Sequence, residues 1–131
     1  MATPKKHLPI LRVSGPAQRD VADILAWNSR NFGAAAALLY EALFAQALKD
    51  IRNDPFRLGT KERPELKVKG VRTYHLFFSR DHVLGERVKE PRHFLLYRIG
   101  KDGAIEIGRI LHDSRDLKRH LPAEYGREIE T

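Results

Sequence analysis

The stretch HFLLYRIGKDGAIEIGRILH, residues 93–112, decides how this chain folds. Two runs rich in β-branched and aromatic residues flank GKDG, a tight-turn sequence, so the stretch reads as a β-hairpin. With Lys101 and Asp102 as a two-residue turn, Arg98 pairs with Ile105, Leu96 with Ile107 and Phe94 with Arg109. Alternation then puts Phe94, Leu96, Arg98, Ile105, Ile107, Arg109 and Leu111 on the expected core face. His93, Leu95, Tyr97, Glu106, Gly108, Ile110 and His112 take the other, and a one-residue slip exchanges the two sets. Two arginines on a core face need carboxylate partners, because an unpaired buried charge is very costly. Asp20 and Asp23 are the nearest candidates by topology.

A third β-rich run, VRTYHLFF at 71–78, precedes the hairpin. SRDHVLGERVKEP at 79–91 lies between them, long and highly charged for a hairpin loop. Upstream, FRLGTKERPELKVKG at 56–70 mixes glycine, proline and charge with weak apolar signals and reads as a loop. Near the N-terminus LPILRVSG suits a short strand. A helix follows, with Ser14 as N-cap, Pro16 near its first position, an apolar face through Ala17, Val21, Ile24, Leu25 and Asn28, and Gly33 as C-cap. A second helix occupies AAAALLYEALFAQALKDIRNDP, 34–55, with a stripe through Leu38, Leu39, Ala42, Phe44 or Ala45, Leu48 and Ile51. It stops before Pro55.

Two helices joined through one glycine fold back as a hairpin that needs a sheet to cover. The expected class is α+β: a helical hairpin packed on an antiparallel β-sheet, with a short C-terminal helix. One domain spans 1–131, its core at about 8–122 and its ends flexible.

The chain has 131 residues with 24 basic and 17 acidic side chains, formally +7. That excess favours an anionic partner or simply maintains solubility. No cysteine is present, which removes disulfides, thiolate metal sites and cysteine nucleophiles. No apolar run is long enough for a membrane span or secretory h-region, so a soluble cytoplasmic protein with no membrane partner is expected. The six histidines, His7, His75, His82, His93, His112 and His120, show no metal-ligand spacing, and no metal is expected. There is no phosphate-binding glycine loop and no nucleophile elbow, hence no expected cofactor. Arginine is the strongest chemical signal, with Arg72, Arg80, Arg87, Arg92, Arg98, Arg109, Arg115 and Arg119 concentrated in the C-terminal half. Its planar fork suits phosphate and carboxylate. Arg80, Arg87 and Arg98 are expected to be solvated or structural.

The succession of motifs resembles the RelE/ParE toxin superfamily, and more closely its ParE branch, over about residues 10–122. It comprises an aspartate inside the first helix, an aromatic and glycine between helices, a proline and glycine after the second, YR on the penultimate strand, and RILH followed by D and HL. The extension before Leu8, the 79–91 insertion and the tail AEYGREIET depart from it. The resemblance implies the toxin of a bacterial type II toxin–antitoxin system, neutralised by a cognate antitoxin through an acidic or amphipathic C-terminal segment. It implies growth inhibition by poisoning DNA gyrase. The alternatives are a RelE-like endonuclease acting on mRNA at the ribosome, or a non-toxic relative. A nuclease would draw on Arg72, His93, Tyr97, Arg109 and His112 for acid, base and phosphate clamp. Asp113 opposes that role by repelling RNA phosphate, and Tyr125, the only late tyrosine, lies beyond a proline. A target- or antitoxin-binding surface would use Arg72, Arg109, His112, Arg115, Lys118 and Arg119.

Overall fold

The computed structural model describes residues 8–115 and 117–122, with the Lys118 side chain outside the described part. The expected flexible ends, His7 and Tyr125 lie outside the described residues. Strand β1 (Leu11–Val13) leads into α1 (Gly15–Phe32) and α2 (Ala34–Asn53), followed by β2 (Thr60–Glu62), β3 (Val71–His75), β4 (His93–Ile99) and β5 (Ile105–His112). Short 3₁₀ segments occupy Pro64–Leu66, Leu76–His82 and Leu117–His120. The five strands form one sheet in the order β1-β5-β4-β3-β2, antiparallel except for the parallel β1–β5 pair. This is the expected α+β architecture, with two differences. The 56–70 stretch contributes β2 and a 3₁₀ turn rather than only loop, and β1 enters the sheet beside β5.

The register of the β4–β5 hairpin is the principal correction. Its loop has three residues, because Gly100 pairs through its N–H with the Ala104 carbonyl and Gly103 sits at φ +82°. That left-handed position suits glycine. Ile99 therefore faces Ile105, Arg98 faces Glu106 and Tyr97 faces Ile107; beyond this a bulge leaves Gly108 without a partner, and Leu96 faces Arg109. The extra loop residue swaps the β4 side chains between faces, so Leu95 and Tyr97 join Ile105 and Ile107 beneath the helices. The bulge then lets Ile110, rather than Arg109, share that core. Leu96 packs on the opposite face with Leu66, Val68 and Val71, covered in part by Leu117 and Leu121.

Both helices obey their local signals. The Ser14 Oγ accepts the Ala17 N–H at 3.0 Å as an N-cap, and Gly33, at φ +95°, closes α1 and opens α2. The face of α1 is as expected, with Ala17 fully buried and Val21, Ile24 and Leu25 against the core. The stripe of α2 is displaced to Tyr40, Leu43, Phe44, Ala47 and Ile51, while Leu38 is left exposed.

Beyond Val13, β1 no longer covers β5, and α1 supplies what the missing strand would have provided. Ser14 donates its N–H to Ile107 O at 2.9 Å and its hydroxyl to the bulge carbonyl of Gly108 at 2.7 Å. Nearly two turns further along, Asp20 accepts the Ile110 N–H at 2.9 Å. Its two oxygens take Nε and Nη2 of Arg109 at 2.7 and 2.9 Å. The expected Asp20 partner is thus found for Arg109, whereas Arg98 pairs with Glu106 at 2.7 Å on the neighbouring strand and not with Asp23.

Asp20→Ala leaves a half-buried guanidinium and a strand N–H without their acceptor. It is expected to lower unfolding free energy by about 2–3 kcal/mol in urea titration. Asp20→Ala combined with Arg109→Met should recover part of that loss, giving a coupling energy on the order of 1 kcal/mol or more.

Candidate functional site

Between the helical hairpin and the end of the sheet lies a groove of about 610 Å³. One wall is α1, presenting Ile24 and Trp27; α2 adds Leu39 and Tyr40; Val88 and Glu90 of the 79–91 segment form another side, and His93 and His112 close the end. Trp27 and Phe32 are largely exposed and pack edge to face, with ring centroids 5.6 Å apart. Exposed aromatics beside a concave apolar surface mark a place for a partner. The stripe of α1 continues from Ile24 to Trp27 at helical spacing, the sequence signal that would have located this wall.

The groove end is polar and fully committed. The Tyr40 hydroxyl accepts the Arg92 N–H at 3.1 Å and shares a 2.6 Å hydrogen bond with Nδ1 of His93. Burial, with His112 nearby, lowers the His93 pKa to about 4, and burial raises that of Tyr40 to about 12. His112 meets His93 edge to face at 5.3 Å, and its Nδ1 is engaged by Ser114. Asp113 is gripped by Arg92 through Nε and Nη2, at 3.0 and 2.8 Å, and receives Nε2 of His75 at 3.1 Å. The Arg92 hydrogen bonds bring its carboxyl down to about 2 despite some burial. Asp113, which opposed RNA chemistry on charge grounds, here neutralises Arg92 and orients His75. Neither of those partners was singled out as a site residue from the sequence.

The remaining sequence candidates are dispersed. Tyr97 is buried beneath the helices, and its hydroxyl donates to the Pro55 carbonyl. Arg72, its neighbour on β3, donates to Thr60 Oγ1 at 2.9 Å, pairs with Glu62 at 3.3 Å and lies 5.0 Å from the Phe56 ring centroid. Four residues of strand, about 13 Å, separate Tyr97 from His93. Arg109 is turned to the β5 edge and Asp20. Arg72, His93, Tyr97, Arg109 and His112 therefore do not converge on one reacting atom; only the two histidines meet. Of the binding candidates, Arg115 and Arg119 are exposed, and Arg109 also donates to the His120 carbonyl at 3.3 Å. Arg80 and Arg87 are structural as expected, bonded to the Lys89 carbonyl and to Asp81.

Residues 11–117 match the family model described as the ParE toxin of the type II toxin-antitoxin system, parDE. The chain belongs to the ParE toxin family. Among solved structures, a chain of a chromosomal ParDE toxin–antitoxin system from P. aeruginosa superposes with a TM-score of 0.59 at 20% identity. The match covers 82% of this chain and 98% of that one, and at such identity the likeness concerns the fold. No curated protein sequence matches significantly. In this ParE-family chain the matched region takes in every described strand and both α-helices, the groove included. No helix among the described residues is long and apolar enough to cross a membrane.

Folding holds the His93 pKa below its ordinary 6.5, so as pH falls the unfolded chain takes up a proton first. The stability this contributes is complete above about 6.5 and is lost on descending towards about 4, by roughly 2–3 kcal/mol. The Asp113 contribution is lost in a separate window, from its ordinary 3.8 down to about 2. Urea unfolding across pH is expected to show both steps, and His93→Gln to remove the upper one.

Proposed function

We propose that this ParE-family toxin inhibits growth by poisoning DNA gyrase in the cytoplasm and is silenced by a cognate antitoxin, an amphipathic segment of which lies in the groove. The observation that carries the reading is the character of that concave surface. Its walls are apolar, and the ionisable groups at its end are engaged with one another. Tyr40 and His93 are tuned away from proton transfer at neutral pH, and Arg92 is spent on Asp113. A surface of this kind supports binding by burial of apolar area better than acid–base cleavage of RNA. The exposed basic residues Arg115 and Arg119, beyond the groove end, suit contact with an anionic target. In this reading Arg109 is structural and outside both surfaces.

Induced expression in bacteria is expected to arrest growth, with relief on co-expression of the adjacent small open reading frame. Purified protein added to gyrase and supercoiled DNA should accumulate cleaved complexes. Ribosome-phased cuts in primer extension, with gyrase unaffected, would instead establish the endonuclease. Normal growth at confirmed soluble expression would indicate a non-toxic relative. Trp27→Ala should weaken antitoxin binding by roughly 30-fold or more, the usual range for truncating a central aromatic anchor.

A further inference from the structure

The 79–91 segment is a built wall, not a loose loop. Ser79 is fully buried, and its hydroxyl donates to Oδ2 of Asp50 at 2.6 Å. The same oxygen meets Nδ1 of His82 at 2.8 Å and Nη1 of Arg57 at 2.8 Å. Burial opposes ionisation of Asp50, but the hydrogen bonds from Ser79, His82 and Gln46 outweigh it and keep the carboxyl below its ordinary range. Further along, Arg80 donates to the Lys89 carbonyl at 2.5 Å, Arg87 pairs with Asp81 at 2.8 Å, and Val83 and Val88 pack on the main core. Glu90 is thereby presented to the groove from a fixed backbone.

The charge of the groove runs opposite to that of the chain. Asp23 from α1 and Glu90 from the 79–91 segment both line it and both are exposed; among the described residues neither is held by a hydrogen bond or salt bridge, and Glu90 acts on Arg92 only through space, as a further negative charge near that guanidinium. Arg92, the one arginine or lysine among the described lining residues, is paired with Asp113, which leaves the two lining carboxylates in excess. An acidic rim therefore stands on a molecule of formal charge +7. Screening limits exposed charges to about 8–10 Å of influence, so a docked segment senses this rim rather than the chain total. Among the described residues the lining offers side chains and no unpaired strand edge. A helix, which satisfies its own backbone, suits it better than an extended peptide.

We propose that the groove selects a helical antitoxin segment whose apolar stripe is flanked by lysine or arginine facing Asp23 and Glu90, so that the 79–91 segment sets partner specificity. This deepens the antitoxin-binding reading and rests on it. It also replaces the acidic partner expected from net charge with a basic-flanked one at this surface.

Trp27 is the only tryptophan, and it lies in the groove, so its fluorescence reports occupancy directly. The full chain is titrated with two designed amphipathic helical peptides sharing one apolar stripe, one flanked by lysines and the other by glutamates. The lysine peptide is expected to bind about tenfold more tightly at low salt. Asp23→Lys combined with Glu90→Lys, both at exposed positions, should reverse the preference without altering thermal stability. Equal binding of the two peptides, lost in Trp27→Phe/Leu39→Asp when followed by calorimetry, would overturn the charge rule while leaving the groove as a docking site. No response to either peptide would overturn both readings. A Trp27 spectrum that changes only with protein concentration would assign the groove to a second copy of the chain and overturn the proposal.

Discussion

The uncovered half of β5 constrains everything around it. Strand β1 pairs with only three residues of β5, Ile105 to Ile107, and past that point the strand has bare backbone groups on a half-buried edge. Buried backbone polar groups demand partners, and no further strand among the described residues supplies them. The first turns of α1 do so instead, Ser14 at the bulge carbonyl and Asp20 at the Ile110 N–H, with Arg109 clamped on the same carboxylate. This pins the N-terminal part of α1 to the sheet. Because Gly33 turns the chain directly into α2, the position of the whole hairpin follows from it.

Once the hairpin is fixed, the groove is its consequence. Helix α1 extends past the sheet contact with Trp27 and Phe32 still exposed, α2 offers Tyr40 to the end of the strands, and the 79–91 segment approaches from the other side. Tyr40 is the joint between the layers: its ring packs against Phe44 in the core, while its hydroxyl holds the Arg92 backbone and the His93 ring. Each ionisable group at that end has a structural assignment, while apolar surface and the exposed carboxylates of Asp23 and Glu90 line the groove beside it. The acid–base candidates named from the sequence are thereby scattered over the fold of this ParE-family chain, and the surface left between the layers is largely apolar.

The hairpin at 93–112 shows why a sequence pattern can name the right strands and misplace their faces. Both runs of that stretch are almost continuously apolar, since β4 is buried from Phe94 to Arg98 by layers on both sides of the sheet. Alternation is then too weak to choose between registers that differ by one residue. The third loop residue is signalled by Gly103, which needs a left-handed position, but GKDG suits a two-residue turn equally well by composition. The same ambiguity displaced the stripe of α2, where alanine and leucine fill most positions and several faces are apolar. It hid β2 as well, whose three residues carry no pattern of their own and exist only as partners of β3.

What the sequence determined by itself was local and cumulative: the cap at Ser14, the break at Gly33, the stop before Pro55, three β-rich runs, and the order of motifs that resembles the RelE/ParE superfamily. Those signals depend on φ preferences, capping and periodicity within a few residues, and they sufficed for the fold class. Only the tertiary structure decided which charges remain available. Arg109 and Asp20 lie 89 positions apart, as His82 and Asp50 lie 32 apart, and each pair exists because packing brings them together. Arginine and histidine counts pointed to an anion-binding surface, whereas folding pairs most of those cations internally and leaves Asp23 and Glu90 on the groove. The physical reason is that ionic partnerships depend on distance through space, which a single sequence records only after the chain has closed on itself.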